Sequence, residues 1–176
     1  HVSTGFIREV ARAVLPPSKA RRMSGYSFDA WRLASAAIPS DDHRVIKGAM
    51  MQTLLLQPAI EACIQRSVRE GASLVLEGSH MLPGLFDPQK LGVSFFCILD
   101  VPDRNQMVQR ALGPTHSSRS LNQEQLTSIV EFQNACLRLA EEHRVPIVEN
   151  TDIEIAMKRA KELLATSPKR DTSAQA

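Results

Sequence analysis

A chain of 176 residues, 43% of them hydrophobic and 23% charged, is long enough to bury one globular core. Its 21 basic and 19 acidic residues leave a net charge of +2, too small to indicate nucleic acid or an anionic membrane as a partner. No apolar run reaches the ~20 residues of a membrane span and no signal-peptide pattern opens the chain, so we expect a cytoplasmic protein.

The cysteines are odd in number and far apart, which argues against a disulfide framework or a metal cluster. All three lie in apolar, periodic segments: Cys63, Cys97 and Cys136. We expect buried thiols in a reducing compartment.

The first elements are a strand end and an amphipathic helix. Residues 2–4 predict the end of a strand, and because the chain opens on His1 rather than Met, we expect further sequence upstream. Residues 5–15 predict a helix that Pro16 ends. The helix has Arg8 and Arg12 on one face and apolar residues on another: Phe6, Val10, Ala13 and Val14. A basic loop then leads to a short helix near residues 26–36.

The middle of the chain alternates helix and strand. Residues 43–70 have apolar side chains at helical spacing, with Pro58 expected to kink the helix. Two apolar strands follow, one ending at Glu77 and one over residues 93–101. This order predicts a parallel sheet with helices on both faces.

The last third contains a short helix from Asp103, a polar loop at 113–120 and a long helix over 122–143. A third short strand at 146–149 runs into a final helix, where Thr151 and Glu154 have capping-box spacing. Residues 166–176 are too polar to pack, so we expect a domain over 1–165 and a disordered tail.

The residues that suggest chemistry lie at predicted strand ends and in the polar loop. Glu77 and Gly78 directly follow an apolar strand, at the sheet edge where α/β proteins bind ligands. Gly78 permits close backbone approach, and His80 can titrate near neutral pH. An acid that holds Mg²⁺ and arginines that neutralise a transferring phosphoryl group are typical of phosphoryl-transfer enzymes.

Six motifs along residues 2–164 carry a resemblance to a known family. They are Ser3-Thr4-x-x-Ile7-Arg8, Ile46-x-Gly48-x-x-x-Gln52, Glu77-Gly78-x-His80-x-x-Pro83-Gly84, Arg110, Phe132-Gln133, and Val145-Pro146-x-x-x-Asn150. In this order they resemble the 2-phosphoglycerate kinases, a branch of the P-loop kinases. The block that begins at Glu77 is the most specific of the six.

The resemblance implies transfer of the ATP γ-phosphate to 2-phosphoglycerate, a phosphorylated small-molecule acceptor, with Mg²⁺ as the metal. Glu77 would be the acid near Mg²⁺, and Arg8 would bind the phosphate or carboxylate of the acceptor. Gly78 and His80 would lie at the acceptor. Arg110 and Arg119 would be the arginines of a lid, and Asn150 would lie near the adenine.

Two departures from the family pattern bear on these expectations. Gly5 stands where relatives have an Asp, whose carboxylate would help to orient the acceptor hydroxyl. The identity of the acceptor therefore stays open. No Gly-x-x-x-x-Gly-Lys-Ser/Thr loop, which would cradle ATP phosphates, occurs in the 176 residues. The family fold is a parallel sheet of strand order 2-3-1-4-5. We therefore expect the first strand, the P-loop and the first helix to be missing, leaving a gap or an improvised pairing between the Leu74 and Phe95 strands.

Two other readings of the sequence stay open. A uridine-kinase-like or phosphoribulokinase-like enzyme is one, since a strand ending in Glu-Gly also occurs in that group. A non-catalytic regulatory protein that keeps the fold and lacks the phosphate loop is the other. A nucleic-acid binder is disfavoured by one Tyr, one Trp and no concentrated basic stripe.

Overall fold

The computed structural model describes residues 1–33, 43–113 and 120–167. Its elements in chain order are β1 (Val2–Ser3), α1 (Thr4–Val14), α2 (Pro17–Arg22), a 3₁₀ helix (Ser27–Leu33), α3 (Arg44–Glu70), β2 (Leu76–Glu77), β3 (Ile98–Asp100), α4 (Arg104–Ala111), α5 (Gln123–Glu142), β4 (Ile147–Glu149) and α6 (Ile153–Thr166). Within these three ranges, no helix is both long and apolar enough to cross a membrane. The α/β class expected from the sequence is confirmed. The predicted domain over 1–165 stays a prediction, and most of the predicted tail, residues 168–176, lies outside the described ranges.

The strands form two separate parallel pairs. β1 pairs with β2, with Val2 opposite Leu76 and Ser3 opposite Glu77, and β3 pairs with β4 from Ile98 opposite Ile147 to Asp100 opposite Glu149. No pairing joins β2 to β3 in the described part of the chain. The sequence predicted either a gap or an improvised pairing between these two strands. The structure shows no pairing between them, so the improvised pairing is wrong.

Strands β2 and β3 are both shorter than predicted, because pairing extends only as far as the neighbouring strand does. The strand predicted over 93–101 pairs only at Ile98–Asp100, opposite a three-residue partner. The strand before Glu77 pairs only at Leu76–Glu77. On their apolar faces Val75 is 64% exposed and Leu99 52% exposed. In the described part of the chain, neither side chain therefore has the cover that helices give to the faces of a parallel sheet.

Helix α3 connects the two halves of the core. Its Leu56, Ile60 and Ile64 are buried with Ile7, Met23 and Phe86, against the β1–β2 pair. Its Ile46 and Ala49 are buried with Leu82, Ala135 and Cys136, next to α5 and β3. α3 continues through Pro58 as one helix. Of the thiols expected to be buried, only Cys136 is, whereas Cys63 and Cys97 are half-buried.

Helix α1 buries a different face from the one that its apolar pattern favours. Thr4 and Ile7 face the core, while Phe6, Val10 and Val14 are 73%, 67% and 78% exposed. The reason is tertiary, because the side of α1 that carries Arg8 is the side held against the turn before the 3₁₀ helix. Periodicity identified the helix but not the face that packs.

Two local features were also missed. The basic loop contains α2, which begins with Pro17 in the first helical turn, where proline is favoured. The N-cap of α6 is Asp152, whose carboxylate accepts from the amides of Glu154 and Ile155, so the capping box predicted at Thr151 is wrong. The Thr151 hydroxyl instead donates to Glu149.

Gly48 on α3 sets how closely the 3₁₀ helix approaches. A Cβ at Gly48 would lie 2.5 Å from the Cα of Trp31, so only glycine allows this contact. The Trp31 ring lies between the guanidinium groups of Arg32 and Arg44, at 4.4 and 4.2 Å from its centroid. The Gly48 motif position is therefore explained by packing.

Candidate functional site

The carboxyl ends of β1 and β2 form the edge where the most specific motif lies. Their parallel register places Ser3 opposite Glu77, so both chains leave the sheet at the same level. The Glu77 side chain is 53% exposed, and His1 Nε2 lies 3.6 Å from its Oε1. A half-exposed carboxylate at a parallel sheet edge is available to a cation or ligand.

Gly78 is required where the chain turns away from β2. Its φ of 135° is a backbone conformation that other residues rarely adopt, and a Cβ there would overlap the Thr4 hydroxyl. Gly78 thus lets the loop after β2 lie directly against the start of α1. Its predicted contact with the acceptor stays a prediction.

His80 lies inside the protein, with 1% of its surface exposed. Its Nδ1 is 3.0 Å from Thr4 Oγ1, and its Nε2 is 2.9 Å from Gln52 Oε1 and 3.2 Å from Ser27 Oγ. The Gln52 amide nitrogen donates to the carbonyls of Arg22 and Gly25, so Gln52 Oε1 accepts from His80 Nε2–H. His80 is then the neutral Nε2–H tautomer, and its Nδ1 accepts from the Thr4 hydroxyl.

The surroundings of His80 keep it uncharged. Burial, with a smaller contribution from the positive charge of Arg8, lowers the pKa of His80 from 6.5 to about 4. The sequence suggested a histidine that titrates near neutrality, whereas the structure holds a neutral one. Its bonds run to three other segments rather than to its own loop, and its predicted contact with the acceptor stays a prediction.

We expect His80 to make stability depend on pH. Its pKa is lower folded than unfolded, so the unfolded chain binds more protons between about pH 6.5 and 4, and stability is lost as pH falls through that range. Between pH 7.5 and 5 the loss should be about 2 kcal/mol. Urea unfolding at several pH values measures it, with His80→Gln expected to flatten the profile and His1→Gln to leave it unchanged. Equal slopes in wild type and His80→Gln would contradict the assignment.

Arg8 extends from α1 to the turn that precedes the 3₁₀ helix. Its Nη1 donates to the Gly25 carbonyl at 2.8 Å, and its Nη2 forms an ion pair with Glu9 at 3.1 Å. The side chain is 17% exposed, and its Nε is buried without a hydrogen-bond partner. Arg8 is therefore a largely buried cation, one helical turn after Thr4, and its described bonds do not use all of its N–H donors.

Arg110 and Asn150, predicted for the lid and the adenine site, lie together at the end of β4. Arg110 donates to the carbonyls of Asn150 and Thr151 at 2.6 and 2.9 Å. The Asn150 amide donates to the Asp100 carbonyl at 2.7 Å, which extends the β3–β4 pair by one bond. In this structure Arg110 holds α4 against the strand end, and both predicted roles stay predictions. Arg119 lies outside the described residues.

Several residues of these two edges had no predicted role. Gln52 and Thr4 belong to the motifs quoted above, and their positions within those motifs were the signal that could have identified them. Ser27, which bonds to His80 and to Ser79, carried no signal in the sequence. Asp100 also carried none, although it ends β3 and accepts from Gln133 Nε2 at 2.8 Å.

The side chains around Glu77 can be compared with those that bind Mg²⁺ in kinases. In kinases Mg²⁺ is held by one or two carboxylates together with substrate phosphates and water. No group of three or more His, Cys, Asp or Glu side chains converges on a metal position in the described ranges. Glu77 is an exposed carboxylate at the carboxyl edge of the β1–β2 pair, which is compatible with a metal held mainly by phosphates.

Comparison with known proteins found several 2-phosphoglycerate kinases. The chain is 28% identical to that of Pyrococcus furiosus over 156 residues, which cover 87% of this chain and 51% of the relative. It is 26% identical to that of Methanothermobacter thermautotrophicus over 162 residues, 86% of this chain and 52% of the relative. No family model matches, and no solved structure matches significantly. The resemblance drawn from the motifs is confirmed: the chain is similar over most of its length to 2-phosphoglycerate kinases, and it spans about half the length of these relatives.

Proposed function

We propose that this chain is the acceptor-binding and lid-bearing part of an ATP-dependent kinase that phosphorylates 2-phosphoglycerate to 2,3-bisphosphoglycerate. The observation that carries the proposal is the similarity to proteins named 2-phosphoglycerate kinase along 87% of the chain. The geometry supports it, because the most specific motif lies at a parallel sheet edge, where Glu77 is exposed and α1, which carries Arg8 in its second turn, begins.

The division of the strands into two separate pairs supports a proposal for where the nucleotide-binding segment lies. Val2 N–H donates to the Val75 carbonyl, so in a parallel pair the peptide groups of Leu76 point to the opposite edge of β2. By the same alternation the peptide groups of Leu99 point away from β4. With β1–β2 as strands 2-3 and β3–β4 as strands 4-5, one further strand between these edges would complete the order 2-3-1-4-5. We place that strand, the phosphate-binding loop and its helix outside these 176 residues.

Each proposed residue has a chemical task at this edge. Glu77 would hold Mg²⁺ directly or through water, and the metal, when bound, neutralises charge on the nucleotide phosphates. Arg8 would bind the phosphate or carboxylate of the acceptor with its planar donor set. Gly78, whose backbone lies directly against the start of α1, would bring the peptide groups of this loop close to the acceptor. His80, being neutral and bonded through both ring nitrogens, would hold this loop in place and would not supply a charge.

The lid assignment requires a rearrangement. Arg110 would reach the transferring phosphoryl group only after its guanidinium leaves the carbonyls of Asn150 and Thr151. Arg119, in the polar loop, would act beside it. Closure of such a lid excludes water and brings arginines to the developing charge. Asn150 lies at the carboxyl end of β4, and we propose that this position faces the adenine.

The test is turnover by the natural protein that contains this chain. With Mg²⁺ and ATP, release of ADP should be at least about tenfold faster with 2-phosphoglycerate than with uridine, because an acceptor site built for anions rejects a neutral nucleoside. Turnover of uridine alone would favour the uridine-kinase-like reading. No turnover, together with a natural sequence that lacks a Gly-Lys-Ser/Thr loop, would favour the non-catalytic protein.

A further inference from the structure

Thr4 and Arg8 lie one turn apart on α1 and are joined by a closed circuit of hydrogen bonds outside the helix. Thr4 Oγ1 bonds to His80 Nδ1 at 3.0 Å, and His80 Nε2 bonds to Gln52 Oε1 at 2.9 Å. Gln52 Nε2 donates to the Gly25 carbonyl at 3.2 Å, and Arg8 Nη1 donates to the same carbonyl at 2.8 Å. The circuit thus begins and ends on α1.

Gln52 is the member that joins the two halves of the circuit. It is 2% exposed and bonds through both ends of its amide, to His80 on one side and to two carbonyls on the other. The Arg22 carbonyl ends α2, and the Gly25 carbonyl belongs to the turn between α2 and the 3₁₀ helix. Burial of Met23 holds the same turn by packing, but packing does not orient a carbonyl oxygen. The amide of Gln52 does.

We propose that Gln52 is a positioning residue for Arg8. By holding the Gly25 carbonyl from α3, Gln52 presents a fixed acceptor to Arg8 Nη1 and so sets the orientation of the guanidinium. Because His80 links the other end of the amide to Thr4 and to the Gly78 loop, the same residue couples Arg8 to the edge that carries Glu77. This inference rests on the proposed function for the assignment of Arg8 to the acceptor.

Gln57 provides a matched control. It lies on the same helix, and its Nε2 also donates to a backbone carbonyl, that of Leu85, at 2.9 Å. It has no described bond to the circuit. Gln52→Met and Gln57→Met each replace an amide that donates to a backbone carbonyl by an apolar side chain of similar length, so a difference between them reports the circuit rather than the loss of such a bond.

The kinetic measurement separates positioning from folding in the natural protein. Gln52→Met should raise KM for 2-phosphoglycerate about tenfold or more and leave KM for ATP within about twofold, since a misplaced binding group can lose up to about 10²-fold. Gln57→Met should leave both KM values within about twofold. A Gln52→Met enzyme that loses only active fraction, with KM for the acceptor unchanged, has lost a merely structural bond and overturns the inference.

A second measurement does not need turnover. The ¹⁵N resonance of Arg8 Nε–H, identified by its loss in Arg8→Lys, should shift or broaden in Gln52→Met and stay in place in Gln57→Met. An unchanged Arg8 resonance in Gln52→Met overturns the inference. If the wild-type protein does not turn over 2-phosphoglycerate, the proposed function fails, and this resonance alone decides whether Gln52 positions Arg8. If Gln52→Met does not fold, Gln52→Glu, which keeps an acceptor for His80, replaces it with the same outcomes.

Discussion

Replacing Glu77 by Gln should lower kcat of the natural protein by about 10²-fold or more while leaving its stability within about 0.5 kcal/mol, because removal of one electrostatic group at a reacting centre has that effect. The carboxylate ends β2 and is 53% exposed, and the His1 side chain near it is itself 64% exposed, so little of the fold depends on the charge of Glu77. The amide keeps the shape of the side chain and removes the anion that we assign to Mg²⁺. The measurement is the rate of ADP release with ATP, Mg²⁺ and 2-phosphoglycerate.

Glu70→Gln is the control for Glu77→Gln. Glu70 also forms an exposed ion pair, with Arg66, and its side chain is 54% exposed, close to the value for Glu77. It ends α3 rather than a strand, so its replacement should leave kcat unchanged. If the Glu77→Gln enzyme kept half of the wild-type rate, the assignment of Glu77 to the metal site would be wrong. The fold assignment would be unaffected.

Replacing Gly48 by Ala should destabilise the chain by about 3 kcal/mol or more, opposite in sign to the usual gain of about 1 kcal/mol for this change inside a helix. A Cβ at this position would lie 2.5 Å from Trp31 Cα and 2.7 Å from Trp31 Cβ. Backbone cannot move aside as a side chain can, so the whole 3₁₀ helix would have to shift. Ser27, which bonds to His80, would move with it. Urea unfolding at pH 7.5 measures the loss.

Gly5→Ala is the control for Gly48→Ala. Gly5 is also helical, and an added Cβ would meet only Ser3 Oγ, at 3.3 Å. That hydroxyl can yield by a few tenths of an ångström, so stability should change by less than about 1 kcal/mol. If Gly48→Ala proved as stable as Gly5→Ala, the close packing of the 3₁₀ helix on α3 would be wrong.

The two edges differ in how readily they can serve chemistry. At the β1–β2 edge, Glu77 is exposed while His80 and Gln52 are buried and fully bonded, which is the arrangement of a supported ligand site. At the β3–β4 edge, Arg110 is engaged with backbone carbonyls and must be released before it can act. We therefore expect substitutions at the first edge to affect acceptor binding and those at the second to affect closure.

The α/β class, the order of the long helices and the sheet edge that carries Glu77 could all be predicted from the amino-acid sequence. These follow from local signals: apolar periodicity, glycine and proline boundaries, and a charge placed directly after an apolar strand. The resemblance to 2-phosphoglycerate kinases also came from motif order alone, and the comparisons confirmed it. Each of these signals is contained within a few adjacent residues.

Which side chains contact each other depends on how distant segments of the chain pack. Periodicity placed Phe6 and Val10 on one face of α1, but contact with the turn at Gly25 decided that the other side packs. His80 titrates near neutrality as a free side chain, and burial against Thr4 and Gln52 makes it a neutral one. These contacts join residues 17 to 76 positions apart in the chain. Local patterns carry no information about such pairs, because their energies arise only when distant segments pack together.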